Sequence, residues 1–144
     1  MLKVSADKII IFNIEEALRF DGYTACYLQY GYVRLKSIVR KEAWTLFSAP
    51  INWRELKEAK EKELLIKLAR YPEIIKIAGA KNNPSEITKY LFELVQLSND
   101  YYHGVSILKS EPKIRRARIA LIKAIGQVLS NGFNILGLKT VEEM

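Results

Sequence analysis

Tyr27-Leu28-Gln29-Tyr30-Gly31-Tyr32-Val33-Arg34-Leu35-Lys36-Ser37-Ile38-Val39-Arg40-Lys41 is the stretch on which the reading of this chain turns. At helical spacing it carries two stripes. Leu28, Tyr32, Leu35 and Val39 fall at i, i+4, i+7 and i+11 and make one apolar face, enough to seat a helix on a core. Tyr23, Tyr27, Tyr30 and Arg34 repeat that spacing on an adjacent face. Rings ending in a guanidinium suit unpaired nucleic-acid bases, because rings stack on bases and the cation meets phosphate or a base edge. Tyrosines at helical spacing also suit a core, and periodicity leaves both readings open.

Working outward, Thr24 is a plausible N-cap for this helix, which should run to about Leu46. Gly31 in its middle costs up to about 1 kcal/mol relative to alanine. A small residue there would let another backbone, or a flat base, approach closely. Ser48-Ala49-Pro50-Ile51-Asn52 ends the helix, and Asn52 could cap a short turn. An amphipathic helix follows over Glu61–Arg70, Pro72 ends or kinks it, and Glu73–Ala80 is a further short helix. Asn83 as N-cap and Pro84 as first helical residue open a helix to about His103, with Ile87, Leu91, Leu94, Ser98 and Tyr101 as its buried stripe and Gly104 as its C′ residue. Lys113 to Asn131 is the last long helix, with Ile114, Ala117, Leu121, Ile125 and Val128 buried and Gly132 as its stop. The apolar tail from Phe133 to Leu138 should dock on the bundle. Upstream, Lys8 to Ile14 is β-branched and aromatic and reads as a strand or extended segment, and Glu15 to Phe20 as a short helical turn. The expected fold is all-α: a bundle of about five helices with one short N-terminal strand or extended segment.

The 144 residues make a single domain the default. Apolar residues at 49% and charged residues at 27% are ordinary for a globular protein. No apolar run approaches the roughly 20 residues of a bilayer span, and Met1 to Lys8 is too polar for a signal peptide. No membrane association is expected. A single cysteine, Cys26, excludes an internal disulfide and points to a reducing, cytoplasmic setting. The net charge of +7 suits a polyanion.

No enzyme constellation emerges. The only histidine, His103, cannot form a zinc cluster. Near a helix end it reads as structural, or as part of Tyr101-Tyr102-His103 lining a base pocket. Cys26 lacks the neighbours that would mark a nucleophile. There is no Gly-rich phosphate loop, and Glu15/Glu16 and Glu142/Glu143 are adjacent pairs that point apart. No metal site and no cofactor are expected. Basic residues fall into two groups, Arg34, Lys36, Arg40 and Lys41 on the first long helix and Lys113, Arg115, Arg116, Arg118 and Lys123 on the last. Each could be a solvated face. If the two helices pack side by side, the groups would instead form one positive surface for RNA backbone.

The run Phe20-Asp21-Gly22-Tyr23-Thr24-Ala25-Cys26-Tyr27-Leu28-Gln29-Tyr30-Gly31-Tyr32-Val33-Arg34 resembles the helix that opens the anticodon-binding domain of arginyl-tRNA synthetases, where an acidic-Gly-x-Thr entry leads into Tyr-(Ile/Leu)-Gln-Tyr and then an Arg four residues later. The resemblance continues in order through Asn83 to Leu94, Asn99-Asp100-Tyr101-Tyr102-His103, Arg116 to Ile122, and Asn131 to Leu138, and the chain ends on Met144 as many members do. It departs at Asp21, Tyr23 and Cys26, where the family usually has Glu, Asn or Asp, and Pro.

The resemblance implies a helical bundle, the DALR-type domain, that binds the anticodon stem and loop of arginine tRNA. It places Tyr27, Tyr30 and Arg34 at positions that meet loop nucleotides, with Tyr102 and Met144 near the same pocket. Arg40 and Lys41 are candidate phosphate contacts. It also divides the chain into 1–20, resembling the junction to a catalytic domain, and 21–144, the anticodon-binding bundle. The ATP-binding domain of a whole synthetase, with its His-x-Gly-His-like and Lys-Met-Ser-Lys-like motifs, has no counterpart in these residues. The chain is therefore expected not to be an enzyme by itself, ATP and arginine binding a catalytic domain or subunit that it would partner. The alternative reading is a free-standing bundle that has lost tRNA binding and docks another protein.

Overall fold

The structure, a computed structural model, describes residues 14–17, 24–42 and 50–142. Its elements are helical throughout the described residues. A single turn, α1 (Ile14–Ala17), precedes α2 (Ala25–Glu42), a 3-10 turn (Trp53–Glu55), α3 (Ala59–Ala69), α4 (Tyr71–Ala80), α5 (Ser85–Gly104) and α6 (Pro112–Leu136). The expected extended segment at 8–14 lies outside the described residues, except that Ile14 opens α1. The expected continuation of the first long helix to Leu46 also lies outside them.

Local chemistry explains most boundaries. Thr24 caps α2, its Oγ1 accepting from the Tyr27 N–H at 3.2 Å. Asn52 Oδ1 accepts from the Arg54 N–H at 3.2 Å and caps the 3-10 turn. Glu61 Oε2 accepts from the Glu58 N–H at 2.9 Å at the start of α3. As expected, the preceding helix ends ahead of Pro72, at Ala69, and Pro72 occupies the first turn of α4, where its missing N–H has no helical partner to lose. Asn83 caps α5 as expected, its Oδ1 accepting from the Ser85 N–H at 3.2 Å, although Pro84 stands just before the helix rather than in it.

Two expected helix stops are corrected. Gly104 is the last helical residue of α5, and Val105 in extended conformation ends the helix. Gly132 does not stop α6, which continues for another turn to Leu136. Gly137 takes that role with φ 69°, and the Leu138 N–H reaches back to the Phe133 carbonyl at 2.9 Å. Gly132 is small for another reason: a methyl group there would lie 2.7 Å from Leu91 Cδ1 of α5.

The core forms around α5. Ile87, Tyr90, Leu91, Phe92, Leu94, Val95 and Tyr101 are all buried on it, each large apolar side chain contributing on the order of 1.5–3 kcal/mol by leaving water. Helix α2 lies parallel to α5 and in step with it. Tyr27 meets Phe92 with ring centres 5.1 Å apart, Gly31 meets Val95, and Arg34 meets Asn99. Of the alternatives for Gly31, the structure selects close helix packing. Helix α6 runs antiparallel to α2, with Tyr32 against Phe133 at one end and Glu42 near Arg115 at the other. Ala117, Leu121 and Ile125 are buried on α6 as expected; Ile114 and Val128 are only half-buried, and Ile119, Ile122, Leu129 and Phe133 complete the buried face.

By length and composition α6 is apolar enough to cross a membrane. This is not expected from the sequence; Lys123, Gln127, Ser130 and Asn131 interrupt the apolar residues of α6. Its fully buried Ile119, Leu121, Ile122, Ile125, Leu129 and Phe133 show that it is the core helix of the bundle.

Candidate nucleic-acid interface

Helix α2 is buried along Leu28, Gly31, Tyr32, Leu35 and Ile38. At about 100° per residue, Tyr27, Tyr30 and Arg34 then fall on the flank facing α5, and Gln29, Lys36 and Arg40 on the opposite flank. The two flanks do different things.

On the α5 side, four sequence-derived candidates come together. The Arg34 guanidinium carbon lies 4.9 Å from the centre of the Tyr102 ring and 5.7 Å from that of Tyr30. Both distances are within cation–π range. Arg34 Nη1 donates to Asn99 Oδ1 at 3.3 Å, and Asn99 Nδ2 donates to the Tyr27 hydroxyl at 3.2 Å. Tyr30 is 44% exposed and Tyr102 39%, whereas Tyr27 is half-buried on Phe92. His103 extends the aromatic surface, edge-on to Tyr102 with ring centres 5.6 Å apart. The tyrosine stripe therefore divides: Tyr27 is partly core, and Tyr30 faces water. Tyr23 and Met144 lie outside the described residues.

Asn99 is the member that residue-by-residue reasoning passed over. It appears within Asn99-Asp100-Tyr101-Tyr102-His103, one turn before Tyr102 on α5, but a single polar residue on a half-buried helical face carries no periodic signal. Only the packing of α2 against α5 gives it partners.

On the other flank, the chain beyond α6 folds back along α2. Gln29 Nε2 donates to the Lys139 carbonyl at 2.9 Å, Lys36 Nζ pairs with the Glu142 carboxylate, and Arg40 Nη2 donates to the Glu142 carbonyl at 3.3 Å. The hydrogen bond from Lys36 lowers the Glu142 pKa, and the same bond raises that of Lys36. Arg40 is exposed but engaged with this tail, while Lys41, beside it, is exposed.

The expected basic surface is corrected in one member. Arg118 does not face solvent: it is only 9% exposed, and its Nε donates to Glu61 Oε1 at 2.7 Å. Glu61 is fully buried and also accepts from the Tyr101 hydroxyl at 2.9 Å. Burial, followed by the Glu61 charge, pushes the Tyr101 pKa far up. Arg115 is half-buried, donating to the Leu108 carbonyl at 3.1 Å and lying 3.8 Å from Glu42. Because α2 and α6 are antiparallel neighbours, Arg40 and Lys41 share one end of the bundle with exposed Lys113 and half-buried Arg116.

A family model for the DALR anticodon-binding domain matches residues 28–144, a span that contains Tyr30, Arg34, Asn99 and Tyr102 and begins one residue after Tyr27. The chain belongs to the DALR anticodon-binding domain family. Among relatives of this DALR domain, the arginine–tRNA ligase of Pyrococcus abyssi is 40% identical over 147 residues, covering 100% of the chain and 23% of the ligase. That of Thermococcus kodakarensis is 39% identical over 152 residues, again covering 100% of the chain and 23% of the ligase. The arginyl-tRNA synthetase of Thermus thermophilus superposes with a TM-score of 0.83 at 26% identity, over 92% of this chain and 23% of that one. The DALR domain described here thus spans about a quarter of the length of the curated relatives it matches.

Proposed function

We propose that this DALR domain binds the anticodon arm of arginine tRNA and contributes recognition rather than catalysis. One observation carries the reading: Arg34 is held between two exposed rings, Tyr30 and Tyr102, on a surface that buries none of the three completely. A guanidinium flanked by aromatic faces matches unstacked loop bases, which stack on the rings and accept hydrogen bonds at their edges. Tyr27 borders the same site. Arg40 and Lys41 would meet backbone phosphates, with Lys113 and Arg116 at the same end of the bundle; the resemblance alone adds Met144 to the site.

The arginine and tRNA specificity is drawn from the relatives, which are named arginine–tRNA ligases and are about four times longer. In a ligase of that size, ATP and arginine would be held by the remainder of the protein. A cytoplasmic setting fits the free, half-buried Cys26.

The test is a titration of Tyr30→Ala against a synthetic hairpin carrying the anticodon stem and loop of an arginine tRNA. Loss of one base-stacking ring is typically worth about 1–3 kcal/mol, so affinity should fall about tenfold or more. Unchanged affinity overturns the reading.

A further inference from the structure

We infer that Asn99 is the positioning residue of the cluster: it holds Arg34 in place and sets the hydrogen-bonding sense of the Tyr27 hydroxyl, so that the two together receive an acceptor oxygen of the RNA. The inference rests on the RNA-binding reading above and assigns the chemistry of its ligand group.

The argument is one of donors and acceptors. Arg34 Nη1 lies 3.3 Å from Asn99 Oδ1. A guanidinium has donors only, so the Asn99 oxygen must face it; the reversed amide would set N–H against N–H. The Asn99 NH2 is then committed to the other side, 3.2 Å from the Tyr27 hydroxyl. That group is also donor-only, so the Tyr27 oxygen must accept, and the Tyr27 hydrogen is left to donate elsewhere. Tyr27 and Arg34 stand two helical turns apart on α2, about 10 Å along its axis. The single Asn99 amide from α5 nonetheless touches the polar ends of both. What the two side chains themselves offer a ligand is an O–H and a set of N–H donors, the Asn99 oxygen between them already accepting from Arg34. The complementary ligand atom is an oxygen without hydrogen, either a base carbonyl or a non-bridging phosphate oxygen.

The substitutions separate position from hydrogen-bonding sense. Asn99→Leu, similar in size, removes both bonds. Asn99→Asp keeps an acceptor for Arg34 but has no donor, so Tyr27 must donate to it and loses its hydrogen for the ligand. Without RNA, the NMR shifts of the Arg34 side chain report its place over the Tyr102 ring. They should move in Asn99→Leu and stay in Asn99→Asp; no movement in Asn99→Leu overturns the positioning role. With the anticodon hairpin, both variants should bind about tenfold more weakly. Tyr27→Phe should do the same, and should cost nothing further in the Asn99→Asp background, where the Tyr27 hydrogen is already taken. Wild-type affinity in the Asn99 variants, or strictly additive losses, overturns the inference while leaving the RNA-binding reading intact. A wild-type domain that does not bind the hairpin overturns that reading and the ligand assignment with it, and the Arg34 shifts still decide the positioning role.

The source of the oxygen is read by repeating the Tyr27→Phe comparison on altered hairpins. Disappearance of its penalty with a methylphosphonate linkage identifies a phosphate, and disappearance with an abasic loop residue identifies a base. A penalty that survives every such alteration around the loop overturns the acceptor assignment.

Discussion

Arg34 and Tyr102 belong to different helices, yet the guanidinium carbon stands 4.9 Å from the ring centre, and Asn99, one turn before Tyr102, takes a hydrogen bond from the same side chain. The cation is therefore placed by α5 although α2 carries it. Arg34→Lys keeps the charge but loses the planar fork that spans ring and amide. RNA-hairpin affinity should fall about tenfold, roughly 1.4 kcal/mol. Folding stability should change by only about 0.5–1 kcal/mol, the usual worth of an exposed cation–π contact. Isothermal titration and thermal unfolding of the same samples check this; affinity equal to wild type would show that charge alone suffices.

Gly31→Ala tests the contact that brings α2 onto α5. A methyl group there would sit 2.4 Å from Val95 Cγ1, and Val95 is 1% exposed with a short, stiff side chain that cannot swing away. Alanine gains up to about 1 kcal/mol of helix propensity, but overpacking costs about 1–3 kcal/mol. Net destabilisation is expected in urea unfolding, and Val95→Ala added to Gly31→Ala should recover part of it. RNA affinity should fall as well, because separating the helices pulls Arg34 from Asn99.

The Glu61–Arg118 pair separates stability from binding. Glu61→Ala would leave the buried Arg118 cation with only the exposed Glu58 carboxylate at 3.8 Å and the Ser106 carbonyl at 3.0 Å, at a cost of about 3–5 kcal/mol. Replacing the whole group by Glu61→Leu, Arg118→Met and Tyr101→Phe should come much closer to wild type, since no buried charge remains. The Tyr101 pKa is raised above its ordinary value of 10.0 by burial and by Glu61. A raised native pKa means that the neutral phenol is favoured in the fold. The stability it contributes is complete below the unfolded pKa and is lost as pH rises above it. The urea midpoint should therefore drop above pH 10, and the triple variant should lose less.

Docking of the tail on α2 should weaken in acid. Glu142 has a native pKa below its ordinary 4.5 because Lys36 donates to it, so its contribution is present above that value and is lost as pH falls through the lowered one. Lys36, raised above 10.5 by the same bond, contributes below that value and loses its effect as pH rises through the raised one. Protection of the Lys139 to Glu142 amides, taken relative to intrinsic exchange at each pH, should be greatest between these limits. It should become pH-insensitive at the acid end in Glu142→Gln, and added salt should shrink the effect.

Much of the bundle was legible because helix caps and buried stripes are local. Leu28, Tyr32 and Leu35 of α2, and Ile87, Leu91, Leu94, Ser98 and Tyr101 of α5, are buried where the period-3.6 pattern puts them. Thr24, Asn52 and Asn83 cap the elements they precede. The misread residues owe their roles to partners distant in sequence. Gly132 looks like a helix stop until Leu91 is seen to press against it. Arg118 looks like a surface cation until Glu61 is found buried beneath it.

The opening stretch shows where local information ends. Its residues alone determine that α2 is a helix with an apolar face and an aromatic flank, because both follow from spacing along one chain segment. The order of its motifs with those at Asn83 and Asn99 determines the family. Which rings are core and which face water is decided by α5: its Phe92 takes Tyr27 into the interior, its Val95 closes on Gly31, and its Tyr102 and Asn99 hold Arg34 at the surface beside exposed Tyr30. Those contacts join residues far apart in the chain, and no period within one helix encodes them.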